Sequence, residues 1–297
     1  MYLPHMIYKM TKLYTREELK KQQETGELPF FEGSPELLAE RWKNAGRLME
    51  KLTPEFFYAY NDFIDDDRPT HDKWQEEGIP DKSYSDRYGG PVFGCDWDYM
   101  VGPRDWYRTE DEPKVGDYVL RKKIYIYDWG KEKYEMAQRN GAPRTPELEY
   151  FFKLHEEYKK VLEHYYNECF ADQAPNIEKL LYKMMIIQYV CPTADDTTIT
   201  EHRKHNTERF GPDHCDETLC GLHLGENVTE FQYKNTLTGE WESANITDNK
   251  LLMFFSEHAE KSGWKPIYHR MVHNPDTNEK IRYSIIFDLQ ARYKEED

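Results

Sequence analysis

Two periodicities divide the chain. Between Thr145 and Tyr165 the apolar residues Leu148, Phe151, Phe152, Tyr158, Leu162 and Tyr165 recur at the spacing of one helical face. Thr145-Pro146-Glu147 opens that run with a hydroxyl, a proline suited to the first turn and an acid at the positive end of the helix dipole. Ser34-Pro35-Glu36 repeats the signal ahead of Leu38, Trp42, Ala45, Leu48 and Met49, and Thr53-Pro54-Glu55 reads as a further start. From Met184 the pattern changes to short β runs: "MMIIQYV", "LCGLHL", "TEFQYK", "LLMFF", "PIYHRMV" and "IRYSIIF". Turn chemistry such as Thr238-Gly239 and Asn274-Pro275-Asp276 separates them. Before the long helix, "KIYIY" (Lys123 to Tyr127) is a strand, and Asp65 to Asp117 reads as irregular loops packed by aromatic rings.

These elements predict a mainly β protein with a helical N-terminal half. Residues 1–183 are expected to be helical and loop-rich, and residues 184–292 to form a distorted double-stranded β-helix, a jelly-roll core. There is no internal repeat and no flexible linker, so residues 1–297 are expected to form a single domain.

Composition narrows the classes of partner. With 32% charged residues but 15% aromatic ones, the chain is polar yet equipped to bury a core. A formal net charge of −16 argues against nucleic acid and anionic membrane, both of which select basic surfaces. The five cysteines (Cys95, Cys169, Cys191, Cys215 and Cys220) are scattered, with no Cys-x-x-Cys pair, so neither a disulfide framework nor a zinc ribbon is expected. "MYLPHMIYKM" lacks an apolar signal-peptide region and no 18-residue apolar run occurs, which leads us to expect a cytoplasmic, soluble protein; a monomer is also expected.

The chemistry concentrates in "GPDHCDETLCGLHLG". His214 and Asp216 stand two apart, so an extended backbone turns an imidazole and a carboxylate toward one spot, with Cys215 turned away. On its own such a triplet is a weak signal. His269 strengthens it, because it opens "HRMV" after four intervening strands, enough chain to cross a jelly roll and return. Two histidines and a carboxylate on one face of a metal are the facial triad of non-haem Fe(II) oxygenases, which leaves positions open for a co-substrate and dioxygen. Arg282 and Ser284, again two apart, can present a guanidinium fork and a hydroxyl to one carboxylate. Tyr189, in "IIQYVCP", can add a third hydrogen bond.

Taken together, "HCDETLCGLHLGENVTEFQYKNTLTGEW" and "YHRMVHNPDTNEKIRYSIIF" resemble the Fe(II)/2-oxoglutarate-dependent dioxygenases, in the branch typified by isopenicillin N synthase. The resemblance runs from about Glu147 to Asp288; residues 1–140 share little with the family. It implies His214, Asp216 and His269 as iron ligands, and Arg282, Ser284 and Tyr189 as the residues holding 2-oxoglutarate. It also implies dioxygen as oxidant and a small amino-acid-derived metabolite as substrate. Because Asp216 fills its position, none is vacant for chloride as in halogenating relatives. Hydroxylation, desaturation or oxidative ring closure remain, kainoid-type cyclisation among them. The alternatives are an isopenicillin N synthase-like oxidase that uses no 2-oxoglutarate and a non-catalytic jelly-roll binding protein. The chain departs from the family at Phe255-Ser256-Glu257, where Gly-Asp is usual, and in a longer interval between His269 and Arg282.

Several residues have plainer readings. His273 shares strand parity with His269 and is its rival as third ligand, although Asn274-Pro275 places it at the strand's end. His223 reads as core packing before substrate contact. His202 and His205 read as loop residues near Arg203 and Arg209, either of which can reach a substrate. Cys215 and Cys220 read as small packing residues, Gln232 and Trp241 as hairpin ladder and core, and the aromatics from Tyr84 to Tyr107 as core or lid packing.

Overall fold

A computed structural model describes residues 13–51, 93–96, 119–128, 130–190, 214–226, 229–244, 246, 250–273 and 281–294. The strands among the described residues are β1 (Phe30–Glu32), β2 (Phe93–Asp96), β3 (Val119–Tyr127), β4 (Ile177–Val190), β5 (Cys220–Glu226), β6 (Thr229–Lys234), β7 (Trp241–Ser243), β8 (Lys250–Phe255), β9 (His269–His273) and β10 (Ile281–Tyr293). They form a seven-stranded sheet in the order β1-β8-β5-β10-β4-β3-β2 and a three-stranded sheet in the order β7-β6-β9. Every pairing is antiparallel.

The helices are α1 (Arg16–Thr25), α2 (Pro35–Ala39), α3 (Arg41–Lys51), α4 (Gly130–Arg139) and α5 (Pro146–Cys169). All six apolar residues picked out along α5 are buried, and Tyr158 packs on Phe287 of β10 with ring centroids 5.4 Å apart. Each such side chain contributes about 1.5–3 kcal/mol on burial, and together they fix the helix to one face of the large sheet. Strand alternation divides the two faces. Ile285, Phe287 and Leu289 of β10, with Leu222 and Leu224 of β5, join the helix-side core. A smaller cluster on the opposite face joins the two sheets: Leu252 and Phe254 of β8, Phe231 and Tyr233 of β6, with Leu28, Ala244 and Ile267. Arg282, Ser284 and Asp288 follow the second parity of β10 and are buried there.

The half expected to be helical also supplies strands: β1, β2 and β3 all belong to the large sheet. β4 begins at Ile177 rather than Met184, because the adjacent Leu180-Leu181 and the charges at Glu178, Lys179 and Lys183 break the apolar alternation there. The apolar stripe from Leu38 to Met49 is interrupted at Glu40, a turn between α2 and α3. Ser34 caps α2, its hydroxyl accepting from the Leu37 N–H. The start at Thr53 and most of the aromatic stretch from Asp65 to Asp117 lie outside the described residues. No described helix is long and apolar enough to cross a membrane.

Candidate metal centre

His214, Asp216 and His269 come together where the two sheets meet. His214 and His269 form an antiparallel bridge, each N–H donating to the other's carbonyl at 3.2 and 3.0 Å. Asp216 lies between the imidazoles, with Oδ1 3.8 Å from His214 Nε2 and Oδ2 3.8 Å from His269 Nε2. One ligand-capable atom from each residue lies within 4.8 Å of the others.

These separations exceed a hydrogen bond. Metal–ligand bonds of roughly 2.1 Å at right angles would bring neighbouring donors to about 3 Å. An ion therefore fits after an inward movement of an ångström or so. His214, whose side chain is 47% exposed, has room to make that movement; that of His269 is only 6% exposed. Two imidazoles and a carboxylate on one side suit Fe(II) with open positions.

His269 is fixed by its surroundings. Its ring stacks on Phe231 at 5.1 Å and 14°, and meets Phe254 at 5.1 Å and 52°. Its Nδ1–H donates to the Ile267 carbonyl at 3.3 Å, which leaves the Nε2 lone pair facing Asp216. Burial pushes the imidazole's pKa down to about 4, outweighing the upward pull of Asp216; His214 adds to the lowering. The ring is thus neutral and able to bind metal at neutral pH.

The departure at Phe255-Ser256-Glu257 is compensated by main-chain bonds. The Glu257 N–H donates to the Asp216 carbonyl at 3.0 Å, Ser256 N–H to Leu219 at 3.1 Å, and His258 N–H to Thr218 at 3.0 Å. Three successive residues thereby clamp the segment that carries Asp216. The Ile267 N–H donates to Phe255 at 2.9 Å, so the same turn also holds the carbonyl that orients His269.

Arg282 and Ser284 are buried to 3% and 1% exposure on the parity of β10 that faces away from the helices. Tyr189 is the direct cross-strand partner of Arg282, and Ile187 that of Ser284. His273 ends β9 opposite Thr229, four residues beyond His269. At about 3.3 Å per residue its backbone stands about 13 Å from the bridge, which favours His269 over His273. Cys215 is half-buried, and burial with Asp216 beside it pushes its thiol up to about 12, so it remains protonated. Cys220 is buried among apolar residues. His202, Arg203, His205 and Arg209 lie outside the described residues.

Three features had no reading in the sequence. Arg270 ties the small sheet together, bonding Gln232 at 3.0 Å and lying 4.1 Å over the Trp241 ring. Phe231 and Phe254 box His269. Lys183 and Asp288, cross-strand neighbours, form an ion pair at 3.3 Å in which the carboxylate is buried and the ammonium half-buried. The adjacent parity of His-Arg in "HRMV" hinted at the first; the others depend on contacts between strands distant in sequence.

No protein-family model matches the chain, and no curated protein does. Among solved structures, dioxygenase for auxin oxidation 1 from Arabidopsis thaliana, in its 2-oxoglutarate complex, is similar with a TM-score of 0.53. The match has 12% identity and covers 95% of this chain and 90% of that one. A full-length Neurospora crassa protein in complex with α-ketoglutarate matches with a TM-score of 0.48 and 12% identity over 94% of this chain and 80% of its own. The Arabidopsis likeness establishes a shared fold.

Proposed function

We propose that the chain is a monomeric Fe(II)- and 2-oxoglutarate-dependent oxygenase built as one unit on a distorted double-stranded β-helix. The observation that carries this reading is the gathering of His214, Asp216 and His269 to within 4.8 Å at the junction of the sheets. The burial of Arg282 and Ser284 on the sheet face away from the helices supports it, as does the fold shared with an auxin-oxidising dioxygenase that holds 2-oxoglutarate.

In this reading His269 offers Nε2 from a fixed position and His214 closes from the exposed side. Asp216 supplies the only negative protein ligand. Iron, dioxygen and 2-oxoglutarate together supply the oxidising power, with 2-oxoglutarate leaving as succinate and carbon dioxide. Arg282 binds the far carboxylate of the co-substrate with its fork, and Ser284 and Tyr189 donate hydroxyl hydrogen bonds to it. Phe231 and Phe254 keep water from the buried side of His269. The substrate is a small amino-acid derivative whose C–H bond is hydroxylated, desaturated or used to close a ring, kainoid-type cyclisation included. Positioning of that bond selects the outcome. The motif order shared with the isopenicillin N synthase-like branch supports this substrate class.

Arg282 provides the test. Charge-assisted hydrogen bonds are typically worth about 1.5–3 kcal/mol each, so Arg282→Ala should raise the 2-oxoglutarate needed for succinate formation by roughly one to three orders of magnitude. Iron affinity should be unchanged, and Arg282→Lys should recover part of the loss. A folded Arg282→Ala protein with an unaltered 2-oxoglutarate curve would refute the clamp and leave the oxidase or binding-protein reading in its place.

A further inference from the structure

His223 is a buried imidazole that neither the metal centre nor the clamp uses. It stands on β5 between Leu222 and Leu224, which belong to the helix-side core, and its own ring meets Phe231 of the small sheet at 4.9 Å. Its side chain therefore occupies the other face, the one that Arg282 and Ser284 share by parity. Its exposure is 2%.

Register places it along that face. β5 begins four residues after Asp216 and ends at Glu226, the partner of Ser284. His223, opposite Ile286, falls midway between the triad end and the clamp end. Between Ser284 and Ile286 the ladder slips, so that three steps on β5 match two on β10. That bulge holds Gly225 at φ 83°, a conformation open to glycine and strained for other residues. Bulges next to active sites commonly re-aim a side chain. Here the Gly225 N–H donates to His223 Nδ1 at 3.1 Å. With Nδ1 an acceptor, the proton of the neutral ring resides on Nε2. The bulge thus fixes a neutral imidazole as a donor, on the sheet face between a metal site and a carboxylate clamp.

We propose that His223 is a co-substrate contact, its Nε2–H donating to a carboxylate oxygen of 2-oxoglutarate along β5. The assignment rests on the oxygenase reading above and adds to it a recognition residue specific to this chain. His223 does not belong to the group of candidate ligands within 4.8 Å of one another, so it acts on the bound acid and leaves the metal to the triad.

The test uses full-length protein loaded with Zn(II), which needs no turnover, and titrates 2-oxoglutarate by calorimetry. His223→Phe keeps an aromatic ring against Phe231 and removes the donor. Zn(II) affinity should stay at the parent's value while 2-oxoglutarate affinity falls roughly ten- to hundred-fold, the loss of one hydrogen bond to a charged group. Unchanged 2-oxoglutarate affinity with Zn(II) binding intact overturns the proposal, returning His223 to core packing or to contact with the primary substrate. A second measurement needs no variant. In the parent, the His223 Nε2–H proton resonance, identified by its through-space contact with the Phe231 ring, should move downfield when 2-oxoglutarate is added. A resonance that does not move overturns the proposal even if His223→Phe fails to fold. If the Zn(II)-loaded parent binds no 2-oxoglutarate, the oxygenase reading falls and this assignment with it. If Arg282→Ala abolishes binding and His223→Phe does not, only this assignment falls.

Discussion

In the proposed centre His214 and His269 would offer a metal the same atom, yet the protein should respond to losing them very differently. Truncating His269 to alanine empties a ring-sized space between Phe231 and Phe254 and leaves the Ile267 carbonyl without its donor. Buried aromatic truncations cost about 3–5 kcal/mol. The imidazole is smaller than a phenyl ring, which lowers the cavity contribution, while the abandoned carbonyl adds about 1 kcal/mol. A loss of about 2–4 kcal/mol is expected in the metal-free protein. His214→Ala removes a side chain that is half in water and should cost about 0.5 kcal/mol or less. Urea denaturation in the presence of a chelator measures the contrast directly. With Fe(II) added under anaerobic conditions the parent should gain stability by mass action, and both variants should lose that gain. Equal metal-free stabilities, or a larger loss for His214→Ala, would refute the picture of one fixed and one mobile ligand.

Other expectations follow from the same geometry. Asp216→Ala should fold, because the segment around it is clamped by main-chain bonds from residues 256–258, but should lose most Fe(II) affinity in equilibrium titrations; retained iron binding would remove the carboxylate from the ligand set. His155, buried with its Nε2–H on the Tyr182 carbonyl at 3.0 Å, has a pKa lowered chiefly by burial. The unfolded chain therefore binds its proton more readily, and metal-free stability should fall as pH drops below about 6.5 toward the depressed folded value. Thermal unfolding of the parent and of His155→Gln across a range of roughly pH 7.5 to 5 checks this, the variant showing the shallower decline.

What could be read from the sequence was whatever local chemistry decides. "TEFQYK" is β6 residue for residue, and the α5 stripe is buried throughout, because alternation and helical spacing act within a few residues. The capping box that starts α1, with Thr15 accepting from Glu18 and Glu18 bonding back to the Thr15 N–H, was equally local; Thr15-x-x-Glu18 carried the signal without an apolar run to draw attention to it. The last residues of β10, beyond "IRYSIIF", are strand because β4 continues beside them to Ile177, a fact no window on β10 contains.

The candidate site divides the same way. The spacing of Arg282 with Ser284 follows from strand parity on β10 and was legible; His214 and Asp216 were legible as a pair, although only His214 makes a strand bridge and Asp216 lies in the irregular segment ahead of β5. The surroundings of His269 were not, since Phe231 reaches it through the β6–β9 pairing, Phe254 through the packing of one sheet on the other, and Ile267 through a turn. The residues at 255–257 make the distinction sharpest. There the sequence departs from its resemblance at a supporting position, yet Asp216 remains held, because the bonds from Ser256, Glu257 and His258 come from backbone N–H groups that every residue except proline possesses. Side-chain identity is free to change where the main chain provides the support. It is constrained at Gly225, where the backbone's own conformation is strained for other residues, and, in the proposed centre, at the triad, where the side chain itself would supply the donor atom.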